Sequence, residues 1–146
     1  QLFESIVKQF HSQAKTKGLK LKHNLKQPKY VYGDHNMIET VIRNLISNAI
    51  KYTREGGEIS IYALDNSQKV TICVEDTGIG VDQEQMNKLF QTNKQAITMG
   101  SNDKESSGLG LILCKEIIDM HREQIWVESK PEKGSTFKFT LPKSNG

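Results

Sequence analysis

Between residues 34 and 53 the apolar side chains Ile38, Val41, Ile42, Leu45 and Ala49 recur at three- and four-residue steps, whereas over 58–64 and 69–76 apolar residues recur at alternate positions. The first pattern is a helical stripe and the second is a pair of half-apolar strands. Neither kind of element can hide its apolar side from water alone, so the helix is expected to stack on the sheet that the strands form. The strands are joined across Asp65-Asn66-Ser67, with Ile59, Ile61 and Ala63 on one side of the first and Val70, Ile72 and Val74 on one side of the second.

The flanking segments extend this pattern. Leu2, Phe3, Ile6, Val7, Phe10 and Ala14 form a further helical stripe ended by Gly18. It needs a partner, expected in a longer helical element upstream. The chain starts at Gln1 inside this pattern, and reads as a cut-out of something longer. Leu19, Leu21, His23 and Leu25 then alternate with Lys20, Lys22, Asn24 and Lys26 as a half-buried strand does, and 29–32 is a second short strand. Asp34 is the expected N-cap of the helix that runs to about 53. A short helix is expected over 82–90, followed by a polar stretch, 91–106, whose length without periodicity suggests a functional lid or local disorder. A helix over 108–121 and strands over 124–129 and 135–141 complete an α+β, two-layer sandwich. Its sheet is mixed and largely antiparallel, with helices on one face.

At 146 residues the chain can bury one core, and 36% hydrophobic with 25% charged residues are globular values. No run approaches the roughly 18 apolar residues that span a bilayer. A net charge of +3 is mild and the lysines are scattered, so no nucleic-acid partner is expected. Cys73 and Cys114 lie in apolar periodic segments without ligand-type spacing and read as reduced core residues.

Three short segments carry chemistry. On a helix Asn44, Asn48, Lys51 and Tyr52 share one face that rims the apolar stripe. An Asn oxygen suits Mg²⁺, which favours oxygen ligands and usually shares them with substrate phosphates; Lys51 can reach phosphate as a point charge, and Tyr52 can flank a base or sugar. Asp76 ends a strand before Gly78 and Gly80, where a carboxylate can accept a hydrogen bond from the exocyclic amine of adenine. Gly108 and Gly110 stand where a polar loop becomes a helix, a ready anion site with Ser106 and Ser107 as suitable caps. Each segment alone is equally a polar surface face, an acidic turn or an ordinary helix start. Together and in this order they supply the parts of one nucleotide pocket.

These segments resemble the N, G1 and G2 boxes of the GHKL ATP-binding superfamily and, within it, the catalytic domain of bacterial-type sensor histidine kinases. Leu89-Phe90 looks like the F box, Gly134-Ser135-Thr136-Phe137 like the closing glycine-containing element, and Ile125-Trp126-Val127-Glu128-Ser129 is similar to the late strand. The likeness covers about 29–142 and implies the Bergerat fold and binding of ATP with Mg²⁺. It makes Asn48 the magnesium-coordinating amide, Asn44 a second amide beside the phosphates, Lys51 a phosphate contact and Tyr52 a side wall. Asp76 would bind the adenine amine, Gly78, Ile79 and Gly80 would shape the pocket floor, and Thr136 would assist through water. Gly108, Leu109, Gly110 and Leu111 would wrap the phosphates and hinge the lid. Lys94 and Lys104 are candidate phosphate contacts or solvated lysines, and Phe90 is a lid anchor or a core aromatic. The chain departs from the family where His121 is followed by Arg122 and Glu123 in place of two glycines, and where Ser106-Ser107 replaces the usual lid glycines.

Hydrolytic members and anti-sigma-factor kinases usually carry Glu four residues before the metal-binding Asn. Asn44 stands there in this chain and cannot accept a proton at neutral pH. The implied reaction is therefore transfer of the γ-phosphoryl to an acceptor held elsewhere, with Asn44 and Lys51 as the catalytic candidates. His11, His23, His35 and His121 lie outside the family's phosphoacceptor pattern, so the acceptor is expected in another domain. The resemblance implies residues 1–17 as the tail of a dimerisation helix and 18–146 as the catalytic domain. Its partners would be a dimerisation and histidine-phosphotransfer domain and the receiver domain of a response regulator. The location would be cytoplasmic, with a parent protein in the cell membrane as one option. The rival readings are a nucleotide-binding regulatory module without kinase activity, or another GHKL ATPase or kinase.

Overall fold

The computed structural model describes residues 2–24, 35–65, 68–78, 109–130 and 132–142. The strand expected over 29–32, the Asp34 cap, the helix over 82–90 and the polar stretch 91–106 lie outside the described residues. In chain order the elements are α1 (Leu2–Lys17), β1 (Lys20–Asn24), α2 (His35–Tyr52), β2 (Glu58–Asp65), β3 (Lys69–Asp76), α3 (Leu109–Met120), β4 (Ile125–Lys130) and β5 (Gly134–Pro142). The sheet order is β1-β2-β3-β5-β4. β1 pairs with β2 in parallel, and the other neighbours are antiparallel. The expected mixed, largely antiparallel sheet is therefore present, with one parallel edge.

The layers meet where the periodicity requires. Ile38, Val41, Ile42, Leu45, Ile46 and Ala49 of α2 pack with Ile59 and Ile61 of β2, Val70, Ile72 and Val74 of β3, and Phe137, Phe139 and Leu141 of β5 in one core. Burying each of the larger side chains contributes about 1.5–3 kcal/mol, so the α2 stripe is a large part of what holds helix to sheet. Ile6, Val7 and Ala14 join the same core. The stripe of α1 thus packs on elements of this chain, because α1 lies beside α2. Cys73 and Cys114 are both free thiols and both buried. Burial pushes the Cys114 thiol up to about 12, which keeps it protonated and unreactive.

The opposite sheet face is polar. Tyr62 donates to Glu75 (2.9 Å), and Trp126 and Lys138 both donate to Glu128 (3.1 Å each). β1 is more exposed than its alternation suggests: Leu21 is half-buried and His23 is exposed, its ring 6.5 Å from that of His11. An edge strand has a neighbour on one side only, so its side chains are covered less.

α3 ends in a turn that keeps a glycine-like path without glycine. Arg122 has φ 59°, its amide donates to Asp119 (2.9 Å), and the Glu123 amide donates to Ile118 (3.0 Å), closing the last turn of the helix. This left-handed geometry costs an L-residue roughly 1 kcal/mol. Arg122→Gly is expected to raise stability by about 0.5–1 kcal/mol, read as a higher urea midpoint with an unchanged m-value. A lower midpoint would show that the arginine side chain contributes more than its backbone costs.

Candidate functional site

α2 carries the expected polar face over a single run of helix. Asn44 and Tyr52 are eight residues apart, about 12 Å along the axis, and each is met by a different segment. At the Asn44 end, Gly110 in the first turn of α3 comes so close that a Cβ on it would lie 2.7 Å from Asn44 Oδ1. The amide is already oriented, because Asn44 Nδ2 donates to the Thr40 carbonyl one turn earlier (2.8 Å). A Cβ at Gly110 would push the Asn44 amide out of this orientation.

At the Tyr52 end, Gly78 abuts the Tyr52 carbonyl, and a Cβ there would also meet Asp76 Oδ1 at 2.8 Å. The strand-end carboxylate is 6% exposed. Its Oδ1 accepts from the Gly78 amide (2.8 Å) and the Ser135 amide (3.2 Å). Both bonds use the same oxygen, and among the described residues Oδ2 accepts none. Burial is the largest influence on Asp76 and pushes its pKa above the usual carboxylate range, with the two amides pulling it back.

Between these ends lie Asn48 and Lys51. Asn48 is half-buried, and among the described residues its side-chain amide makes no hydrogen bond. Lys51 is half-buried with Nζ shielded from solvent. Tyr52 is 42% exposed and is not a core residue. Among the described residues no group of three or more His, Cys, Asp or Glu side chains could hold a metal.

The remaining expectations divide. Leu109, Gly110 and Leu111 form the first turn of α3, and the Leu111 side chain is buried in the core, so it can offer a ligand only its backbone. Ile79, Gly80, Phe90, Lys94, Lys104 and Gly108 lie outside the described residues. Thr136 is not beside Asp76. The register pairs Asp76 with Ser135 and Glu75 with Thr136, and successive side chains leave a strand on opposite faces. Thr136 is therefore on the polar face with exposed Glu75, and Ser135 is the β5 residue that shares a face with Asp76, its hydroxyl 2.7 Å from that of Ser129. The signal was legible: Phe137, Phe139 and Leu141 share parity with residue 135, so the inward hydroxyl is the serine. Gly134 completes this corner with φ 97°, where a Cβ would collide with the Asp76 carbonyl.

Among the described residues three helices pack on a mixed sheet, with the start of α3 and the end of β3 both brought against α2, which defines a layered α+β protein. The chain belongs to the histidine kinase-, DNA gyrase B- and HSP90-like ATPase family, whose profile matches residues 33–145. The adaptive-response sensory kinase SasA of Crocosphaera subtropica is 45% identical over 144 residues, which cover 97% of this chain and 37% of that relative. The chain thus spans little more than a third of the length of this relative. Among solved structures, the catalytic domain of histidine kinase ThkA is 28% identical with a TM-score of 0.82, covering 97% of this chain and 90% of that one. Histidine kinase ThkA in complex with response regulator protein TrrA is also 28% identical, with a TM-score of 0.79 over 98% of this chain and 40% of that one. The fold is that of histidine kinase catalytic domains.

Asp76→Asn keeps Oδ1 as an acceptor for both amides and removes a buried charge, so it is expected to melt above the parent at pH 7. A raised folded-state pKa favours the protonated acid. The parent therefore gains stability as pH falls through that raised value towards the ordinary 3.8, and the advantage of the variant shrinks. Melting curves of both proteins between pH 7 and pH 4 check this; a variant less stable than the parent at pH 7 contradicts it.

Proposed function

We propose that this chain is the ATP-binding catalytic domain of a two-component sensor histidine kinase, which donates the γ-phosphoryl of Mg-ATP to a histidine in another domain. The observation that carries the reading is the double grip on α2: Gly110 brings a helix start to Asn44, and Gly78 brings the base-selecting acid Asp76 to Tyr52. One helix face thereby joins an anion-favouring end to an adenine-favouring end. Asp76 Oδ2 accepts the adenine amine, Tyr52 flanks the nucleoside, and Ser135 lines the base corner. Asn44 and Lys51 face the phosphates. Membership of the ATPase family and the likeness to histidine kinase catalytic domains support this assignment.

Asn48 is the residue that would hold Mg²⁺. A half-buried amide with no hydrogen bond among the described residues fits an ion that takes its other ligands from phosphate and water. When bound, the ion neutralises charge on the transferring phosphoryl group. The protein's own part is positioning: the amides and Lys51 fix the phosphates, and the closely packed glycines fix the amides. Asn44 in the place of a general base disfavours activation of water, so the phosphoryl group waits for a histidine supplied by a dimerisation domain. In this reading residues 1–17 carry the tail of that domain's helix onto the catalytic domain, 18–146, whose core Ile6, Val7 and Ala14 join, and a receiver domain takes the phosphoryl group onward. The solved complex of ThkA with a response regulator protein supports the last step.

Asn48→Ala is expected to lose the Mg²⁺-dependent part of ATP affinity, about tenfold or more, with an unchanged circular dichroism spectrum. Equal affinities with and without Mg²⁺ in the parent would reject the metal role. With γ-labelled Mg-ATP the chain alone is expected to remain unlabelled, and an added dimerisation-domain fragment of a closely related kinase to acquire acid-labile label. Steady phosphate release without an acceptor would instead make the protein an ATPase.

A further inference from the structure

The last carbonyls of a helix have no partner within it and carry the negative end of its dipole. In α2 two of them are capped from another helix: Lys17 Nζ, in the last turn of α1, donates to the Ile50 carbonyl (2.6 Å) and the Lys51 carbonyl (2.8 Å). These are short, charge-assisted bonds from a half-buried ammonium. They fall on the turn that carries Lys51 and Tyr52, and the next carbonyl, that of Tyr52, is the surface against which Gly78 packs. A shift of this turn would move the phosphate-facing lysine, the nucleoside wall and the seat of the Asp76-Gly78 corner together.

We propose that Lys17 is a positioning residue of the nucleotide site, acting through the capped end of α2 to set nucleotide affinity; this rests on the ATP pocket described above. It touches no ligand itself. The surrounding backbone does not depend on it, because the Gly56 amide donates to the Gly18 carbonyl (2.9 Å) and the Lys20 amide to the Gly57 carbonyl (3.0 Å). Removing the ammonium therefore leaves the α1 and α2 ends joined while freeing the two carbonyls.

The test is ATP titration of the parent, Lys17→Met, Lys17→Gln and Lys17→Arg, each well below its own melting temperature. Under that condition a merely structural lysine would leave the affinity of folded molecules unchanged. Lys17→Met is expected to bind ATP about tenfold more weakly, Lys17→Gln to fall between it and the parent, and Lys17→Arg to return within about twofold. Lys115→Met, which removes the exposed pair with Asp119 on α3, is expected to bind as the parent does. A parent that binds and a Lys17→Met or Lys17→Gln variant that binds equally well overturn the role of Lys17 alone. A parent that binds no ATP overturns the pocket itself. Should Lys17→Met fail to fold, the order parent, Arg, Gln decides: equal affinities reject the proposal and a graded loss at Gln supports it.

Discussion

The site depends on two close backbone approaches to α2, Gly110 midway along the helix and Gly78 at its C-terminal end, which an added Cβ would disturb. Gly110 lies against the Asn44 amide and Gly78 against the Tyr52 carbonyl. Neither contact contributes much energy itself. Their effect is geometric, since van der Waals contact at these two points sets how far the start of α3 and the end of β3 stand from the helix that carries the polar face. The apolar stripe beneath holds α2 to the sheet, and the glycines then determine what surrounds its rim.

Asp76 shows how the same packing shapes chemistry. Burial makes its charge costly, and two backbone amides on one oxygen offset part of that cost. A buried carboxylate that accepts hydrogen bonds on only one oxygen among the described residues contributes little to stability. In the nucleotide-binding reading proposed above, stability is given up at the point where recognition needs it, a common arrangement at functional sites.

Much of this was legible in the residues because local period carries it. The helical step of Ile38 to Ala49 and the alternation over β2 and β3 require α2 and the hairpin whatever the rest of the chain does, and both formed within a residue or so of the expected limits. Asp76 at a strand end, and the polar face of Asn44, Asn48, Lys51 and Tyr52, follow from the same counting. Thr136 pairs with Glu75 and stands on the face away from Asp76, a placement that parity along β5 already carries. Arg122 was unreadable: its φ is imposed by closure of the α3 end, although its own side chain disfavours it.

The sequence by itself determined which of the described segments become helices and strands, which face of each is apolar, and which side chains share the polar face of α2, since all of these depend on neighbours a few residues away. Only the tertiary structure decided that β1 pairs in parallel at the edge, that α1 finds its cover on α2, that Ser135 stands opposite Asp76, and that Lys17 caps a helix from which it is far removed in sequence. Those facts are contacts between distant segments, selected by how the whole core closes. No local pattern encodes them, because a strand's alternation is satisfied by any partner and a lysine's charge by any carbonyl within reach.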